Sequence, residues 1–241
     1  MAGTVAITMA GRGQRFRDAG YDVPKYEIEV RGRTLFRWAM ASLRSWTDAG
    51  ARFVFLARAE DRADAFIARE CEAEGIGSFE VVAVEGTTDG QSTTAMLAAP
   101  AVADPAAPLA IYNIDTHVHA GAMRADDARG DGWIPCFPGE GDAWSFAATG
   151  KDGRVTEVRE KVRISPHATV GLYWFGSFEG YAGLYERHFA SGGDERGERY
   201  VAPMYNTLIA EGGEVRIAEL DPGAVVPLGT PAEVDAFSRL S

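Results

Sequence analysis

Lysine is nearly absent from this 241-residue chain: of 24 basic residues only Lys25, Lys151 and Lys161 are lysines, the rest arginines. A chain that uses arginine almost everywhere else and keeps lysine at a few positions selects a compact ammonium there over a planar fork. Cysteine is scarce too. Cys71 and Cys136 show neither disulfide nor metal-ligand spacing, which suits a reducing, cytoplasmic setting. With four histidines, His117 and His119 would share a face if a strand ran through them, but no cysteine or second histidine pair accompanies them as a zinc site requires. No apolar run approaches the length of a membrane span, so no membrane partner is expected. Met1 to Met9 lacks a basic leader and a cleavage site, and reads as a first strand. Positive charge is in deficit as well. The net charge of −11 argues against a nucleic-acid partner, while leaving room for a small phosphate ligand held by a few cations. Internal repeats and long linkers are also missing.

The first half alternates apolar strands with helical segments. Val5–Met9, Arg52–Ala57, Phe79–Val84 and Pro108–Ile114 read as strands; Thr34–Trp46, Arg62–Glu74 and Gln91–Ala99 read as helices, with Thr34 as an N-cap. That order predicts an α/β, doubly wound sheet. The second half predicts strands at Trp133–Phe137, Trp144–Ala148, Val155–Glu160, Thr169–Phe175 and Val215–Ile217. Helices are expected over Phe178–Phe189, Val201–Ala210 and Pro231–Leu240. Gly192–Gly197 (GGDERG) is the expected mobile loop. Residues 1–241 form one expected domain, in which 1–120 and 121–241 are two halves of different character.

Chemistry concentrates after the first strand. Gly11-Arg12-Gly13-Gln14-Arg15-Phe16 lets backbone amides approach and cradle an anion, with Arg15 adding charge. It is neither the dinucleotide fingerprint nor a Walker-type loop. Val23-Pro24-Lys25 follows, in which Pro24 stiffens the turn that presents Lys25.

These residues resemble the nucleotidyltransferase family of sugar-1-phosphate uridylyl-, thymidylyl- and guanylyltransferases and phosphocholine cytidylyltransferases, which opens with a G-x-G-x-R loop and a Pro-Lys pair. The likeness continues in order. Asp89-Gly90-Gln91 with Ser92, Thr93 and Thr94 resembles the base-recognising segment, and Asn113-Ile114-Asp115 the metal-binding aspartate. Glu160-Lys161 with Ala168–Tyr173 resembles the acceptor-binding segment, and Gly229-Thr230-Pro231 the C-terminal Gly-Thr-Pro. The resemblance implies a three-layer αβα, Rossmann-like mixed sheet of the nucleotide-diphosphosugar-transferase (GT-A-like) type. It implies transfer of a nucleoside monophosphate from a nucleoside triphosphate to a small phosphorylated substrate, with release of pyrophosphate, for polysaccharide or glycoconjugate precursors.

The same resemblance implies a nucleotide-binding half, 1–120, an acceptor-binding half, 121–241, and the site they share. Ala10, Gly11, Arg12, Gly13, Gly90, Gln91 and Thr93 would bind nucleotide; Arg15 would hold the β/γ-phosphates and Lys25 the α-phosphate. Asp115 would bind Mg²⁺. Glu160, Lys161, Gly171 and Asn206 would bind the acceptor, Lys161 through its phosphate. A homo-oligomer is compatible with all of this.

One departure stands out. Where the family carries a second metal-binding aspartate about two residues before the Gly-Thr, this chain has Val226-Pro227-Leu228. Asp115 alone, or with Asp221 or Glu198, would then hold the ion. Two alternatives remain open: a cytidylyltransferase acting on a phosphorylated alcohol, amine or phosphonate, and a GT-A-type glycosyltransferase, since Asp115-Thr116-His117 matches a D-x-H metal motif. A non-catalytic binding protein would be expected to lack the cations or Asp115, and all are present. Trp133, Trp144 and Trp174 are candidates for stacking on a ligand or for packing.

Overall fold

The computed structural model describes residues 3–195 and 197–240. Its first half runs β1 (Thr4–Thr8), α1 (Gln14–Asp18), β2 (Glu29–Val30), β3 (Arg33–Thr34), α2 (Leu35–Ala41), α3 (Arg44–Asp48), β4 (Arg52–Arg58) and α4 (Asp64–Glu74). It continues with β5 (Phe79–Val84), α5 (Gln91–Met96), β6 (Leu109–Asn113) and β7 (Thr116–Val118). The second half runs β8 (Gly132–Pro138), β9 (Ser145–Thr149), β10 (Val155–Glu160), β11 (His167–Thr169), β12 (Leu172–Phe175) and α6 (Phe178–Ala190). It ends with α7 (Met204–Ala210), β13 (Val215–Glu219), β14 (Val225–Pro227) and α8 (Pro231–Ser238).

One ten-stranded sheet passes through both halves in the order β10-β9-β11-β8-β12-β6-β1-β4-β5, with β13 also paired to β8. β6, β1, β4 and β5 are parallel, and β12 joins them antiparallel on β6. The sheet is therefore mixed, as the resemblance implied. Strands buried on both faces explain the near-continuous apolar runs. Val5, Ile7, Phe53, Phe55 and Tyr112 pack under α2, α3 and α4. Their alternating neighbours Ala6, Val54, Leu56 and Ile111 pack under α5, α6 and α7. A third cluster of Phe16, Ile28, Val30, Leu35, Leu228, Val234 and Phe237 ties α1 to α8. It brings the glycine-rich turn beside the chain's C-terminal segment.

Several element boundaries differ from expectation. The helix expected over Thr34–Trp46 divides at Ser42, whose hydroxyl donates to the Trp38 carbonyl and accepts from the Val118 amide. A serine back-bonding inside a helix competes with the helical ladder. Thr34 does cap α2, accepting from the Arg37 amide at 3.2 Å, a bond whose loss costs about 1 kcal/mol. The strand expected over Thr169–Phe175 breaks at Val170-Gly171, so that β11 pairs with β8 and β9 while β12 pairs with β8 and β6. Gly171 has φ +83°, and a Cβ there would stand 2.3 Å from Asn113 Nδ2, so only glycine fits the break. The helix expected from Val201 starts at Met204, after Pro203. Of the Gly192–Gly197 segment, Arg196 lies outside the described residues. No described helix is long and apolar enough to cross a membrane.

Candidate active site

The carboxyl ends of β1 and β6 open onto a cleft of about 780 Å³. This is where open α/β sheets place their ligands. After β1 the chain turns through Gly11 to Gly13. Gly13, at φ 61°, ψ 32°, caps α1, and Phe16 on that helix is buried and fixes the turn. Arg12 and Arg15 are left exposed at the cleft, and neither pairs with a carboxylate among the described residues.

Pro24, at φ −53°, ψ 142°, leads into a single 3₁₀ turn that begins with Lys25. Tyr26 anchors that turn: it is buried, and its hydroxyl donates to Asp61 at 3.1 Å. Lys25 consequently points to the strand ends, where its Nζ lies 2.7 Å from Asp115 Oδ2. Both side chains are largely shielded, at 16% and 27% exposure. Asp115 sits just beyond β6, and its carbonyl accepts from the Leu228 amide at 2.8 Å, which draws the Gly229-Thr230 turn to it.

The opposite wall begins at Gly90, the cap of α5. Its φ of +145° and its approach to Arg199 exclude a side chain, since a Cβ would meet the Arg199 carbonyl oxygen at 2.5 Å. Arg199 accepts from the Ser92 amide and hydroxyl and donates its own amide to the Asp89 carbonyl. Gln91 Nε2 donates to Thr8 Oγ1 at 3.0 Å, which ties α5 to the end of β1. Thr88 and Thr94 hydroxyls meet at 2.6 Å beside it.

Farther along, Glu160 accepts a short hydrogen bond from Ser145, whose hydroxyl also lies 3.3 Å from that of Tyr173. Thr169 meets Tyr173 at 3.0 Å. Glu160, Ser145, Thr169, Tyr173, Trp144 and Tyr200 all line the cleft. Strand alternation would send Lys161 away from Glu160, but Lys161 takes a left-handed conformation, φ 51°. Its Nζ thereby reaches 3.5 Å from Glu160 Oε1 and 3.1 Å from the Tyr200 hydroxyl. Burial works against the ammonium, yet the Tyr200 hydroxyl and Glu160 outweigh it and hold its pKa above the ordinary lysine value.

Of the residues singled out from sequence, the cleft gathers Ala10, Gly11, Arg12, Arg15, Lys25, Gly90, Gln91, Asp115, Glu160 and Gly171. Lys161 touches it only through Tyr200 and Glu160. Gly13 supports the turn from behind, facing the Lys25 stem. Two others are turned elsewhere. Thr93 meets the Tyr185 hydroxyl at 2.9 Å. Asn206 holds the Val158 amide and carbonyl, both at 2.8 Å, and so binds α7 to β10 instead of facing the cleft. Asp221 accepts from the Gly223 amide in its own turn and is not part of the cleft wall, whereas Glu198 is. His117 is buried with Nδ1 2.8 Å from the Trp38 carbonyl, and it does not line the cleft that Asp115 and Thr116 face. Trp133 is buried in the core and Trp174 packs against it; Trp144 alone of the three faces the cleft.

Sequence reasoning missed Glu233. It lines the cleft near Asp115: a Cβ placed on Gly229 would lie 3.4 Å from Asp115 Oδ2 and 3.6 Å from Glu233 Oε2. The signal was available in Thr230-Pro231-Ala232-Glu233, which has the spacing of a capping box. Thr230 Oγ1 does accept from the Glu233 amide, at 3.2 Å.

No family model matches the sequence, and no curated protein does either. Solved structures do. The nucleoside-diphosphate-sugar pyrophosphorylase from Vibrio cholerae RC9 is 32% identical, with a TM-score of 0.91 over 98% of this chain and 100% of that one. The inositol-1-phosphate CTP transferase from T. maritima is 15% identical, with a TM-score of 0.74 over 95% of this chain and 90% of that one. A Bacillus anthracis protein assigned as a glucose-1-phosphate thymidylyltransferase, in complex with a sucrose, is also 15% identical, with a TM-score of 0.75 over 98% and 95%. The last two are likenesses of fold.

Proposed function

Because the chain belongs to the nucleotidyltransferase family of the Vibrio cholerae pyrophosphorylase, we propose that it transfers a nucleoside monophosphate from a nucleoside triphosphate to a sugar phosphate and releases pyrophosphate. The product would be an activated sugar of the kind used to build polysaccharides and glycoconjugates. The observation that carries this reading is the meeting of Lys25 and Asp115 at 2.7 Å in the same cleft that the glycine-rich turn and Glu160 line.

The reaction brings a phosphate anion onto the α-phosphorus of a triphosphate, in line with departing pyrophosphate. Catalysis is then mostly positioning and charge neutralisation. The Gly11 to Gly13 amides with Arg12 and Arg15 receive the β- and γ-phosphates. Lys25 moves from Asp115 to the α-phosphate, where charge develops. Gln91, held by Thr8, faces the base. Glu160 accepts from hydroxyls of the acceptor, and Lys161 receives its phosphate. An acceptor phosphate oxygen is already a competent nucleophile, so no general base is assigned.

The donor set fits Mg²⁺. Asp115 offers a hard oxygen in the cleft. Mg²⁺ keeps waters and phosphate oxygens among its ligands, so few protein carboxylates suffice for it. When bound, the ion would neutralise phosphate oxygens.

The test is to incubate the protein with Mg²⁺, pyrophosphatase and each nucleoside triphosphate against sugar phosphates and phosphorylated alcohols and amines, measuring phosphate. Acceptor-dependent release with one triphosphate is the expected result, and the pair that reacts identifies base and acceptor. Silence from every pair, with transfer from a nucleotide-sugar instead, would overturn the reading.

A further inference from the structure

Pro227 of β14, paired with Thr116, lines the cleft at the position where the resemblance implied a second carboxylate. Taking nucleotidyl transfer as the reaction, we infer that Glu233 supplies that carboxylate and, with Asp115, holds the divalent cation that accompanies the triphosphate.

Three features support the assignment. Glu233 approaches Asp115 from a different element, because a Cβ built on Gly229 would stand 3.4 Å from Asp115 Oδ2 and 3.6 Å from Glu233 Oε2, so both carboxylates border the space that the glycine leaves open. Any side chain at position 229 would intrude on that space. The Glu233 carboxylate is also free to act. In a capping box it would fold back onto the cap residue's amide, yet here only its backbone amide engages Thr230, and the carboxylate has no hydrogen-bond or ion-pair partner among the described residues. Finally, the pairing of Lys25 with Asp115 leaves Glu233 as the unneutralised acid of this corner. Two carboxylates plus phosphate oxygens and water make the hard-oxygen donor set that Mg²⁺ and Mn²⁺ take. The third cluster fixes the arrangement, since Leu228, Val234 and Phe237 bury one side of the turn and helix that carry Gly229 and Glu233.

The experiment titrates the protein with Mn²⁺, alone and with a non-transferable α,β-methylene triphosphate, following loss of the free-ion EPR signal. Glutamine is the other residue a capping box accepts, so Glu233→Gln removes the charge and leaves the helix start intact. Glu233→Gln should weaken Mn²⁺ binding at least about tenfold, the scale on which even outer-shell changes act, with an unchanged melting temperature. Asp115→Asn should do the same. Wild-type Mn²⁺ affinity in Glu233→Gln, alongside a loss in Asp115→Asn, overturns the assignment. So does a wild-type protein that takes up no Mn²⁺ under either condition. Pyrophosphate release by the wild type, read separately, then tells failure of this cation site from failure of the proposed reaction.

Discussion

Lys25 Nζ and Asp115 Oδ2, 90 positions apart in sequence, form a 2.7 Å ion pair in the wall of the cleft. Each is assigned to a different charge of the incoming substrate, so the pair must open when substrate binds. Lys25→Met therefore has two expected effects of opposite direction. Turnover should fall by at least about 10²-fold, as for other removed transition-state donors. Mn²⁺ binding to the protein alone should tighten several-fold, because Asp115 loses its competing cation. A turnover loss under fivefold, in a variant with the wild-type melting temperature, would remove Lys25 from its assigned role.

Gly90 couples the wall proposed to hold the nucleotide to the segment that carries Glu198 and Tyr200. The Arg199 backbone shares three hydrogen bonds with the turn around Gly90, its carbonyl accepting from the Ser92 amide and hydroxyl and its amide donating to the Asp89 carbonyl, and the Arg199 guanidinium lies over the Phe189 and Tyr185 rings at 4.9 and 5.7 Å. Gly90→Ala would force a Cβ against the Arg199 carbonyl at a φ that suits glycine. Strain and overpacking together should cost roughly 2–4 kcal/mol, seen in urea unfolding. KM values for both triphosphate and acceptor should rise together. A rise in the triphosphate KM alone would show that the two walls are independent.

How much of this was legible beforehand follows from the range of each cause. β1 and β4 were readable because their own residues are apolar on both faces, and Pro24-Lys25 because proline fixes its neighbours' backbone. The division of the Thr34–Trp46 helix was not readable, since the Val118 amide that engages Ser42 comes from 76 residues away. Asn206 and Thr93 sit next to motif residues, but helix geometry aims them at Val158 and Tyr185. Glu233 was hidden for a related reason. Its proximity to Asp115 exists only once the Leu228 amide has bonded to the Asp115 carbonyl.

Acid should weaken the fold through buried imidazoles. His188 is buried with Nδ1 2.8 Å from Thr207 Oγ1. Burial holds its pKa below the ordinary histidine value, against the opposing pull of the Gly193 carbonyl and Asp194. A depressed histidine is neutral in the folded state while the unfolded chain takes up the proton, so stability is full above about pH 6.5 and falls as pH drops below it. His117, pushed down to about 4 mainly by burial, acts in the same direction. The urea midpoint should therefore decrease between pH 7.5 and pH 5, and His188→Gln should flatten part of that slope. An identical slope in the variant would assign the loss elsewhere.

Tyr200 offers the sharpest separation of acceptor from nucleotide binding. Its hydroxyl stands 3.1 Å from Lys161 Nζ, and the same ammonium lies 4.9 Å from its ring centroid. Tyr200→Phe keeps the ring and removes one hydrogen bond to a charged group, a change of about 1.5–3 kcal/mol where such a bond is fully engaged and less at a half-exposed site. The acceptor KM should rise about three- to tenfold, with the triphosphate KM unchanged. Because the hydroxyl helps keep the Lys161 pKa high, its loss should also move the alkaline limb of kcat/KM for the acceptor to lower pH. Lys161→Ala should remove that limb and raise the acceptor KM further. If Tyr200→Phe changes the triphosphate KM and spares the acceptor, Lys161 is not serving the acceptor phosphate and the two ends of the cleft must be exchanged.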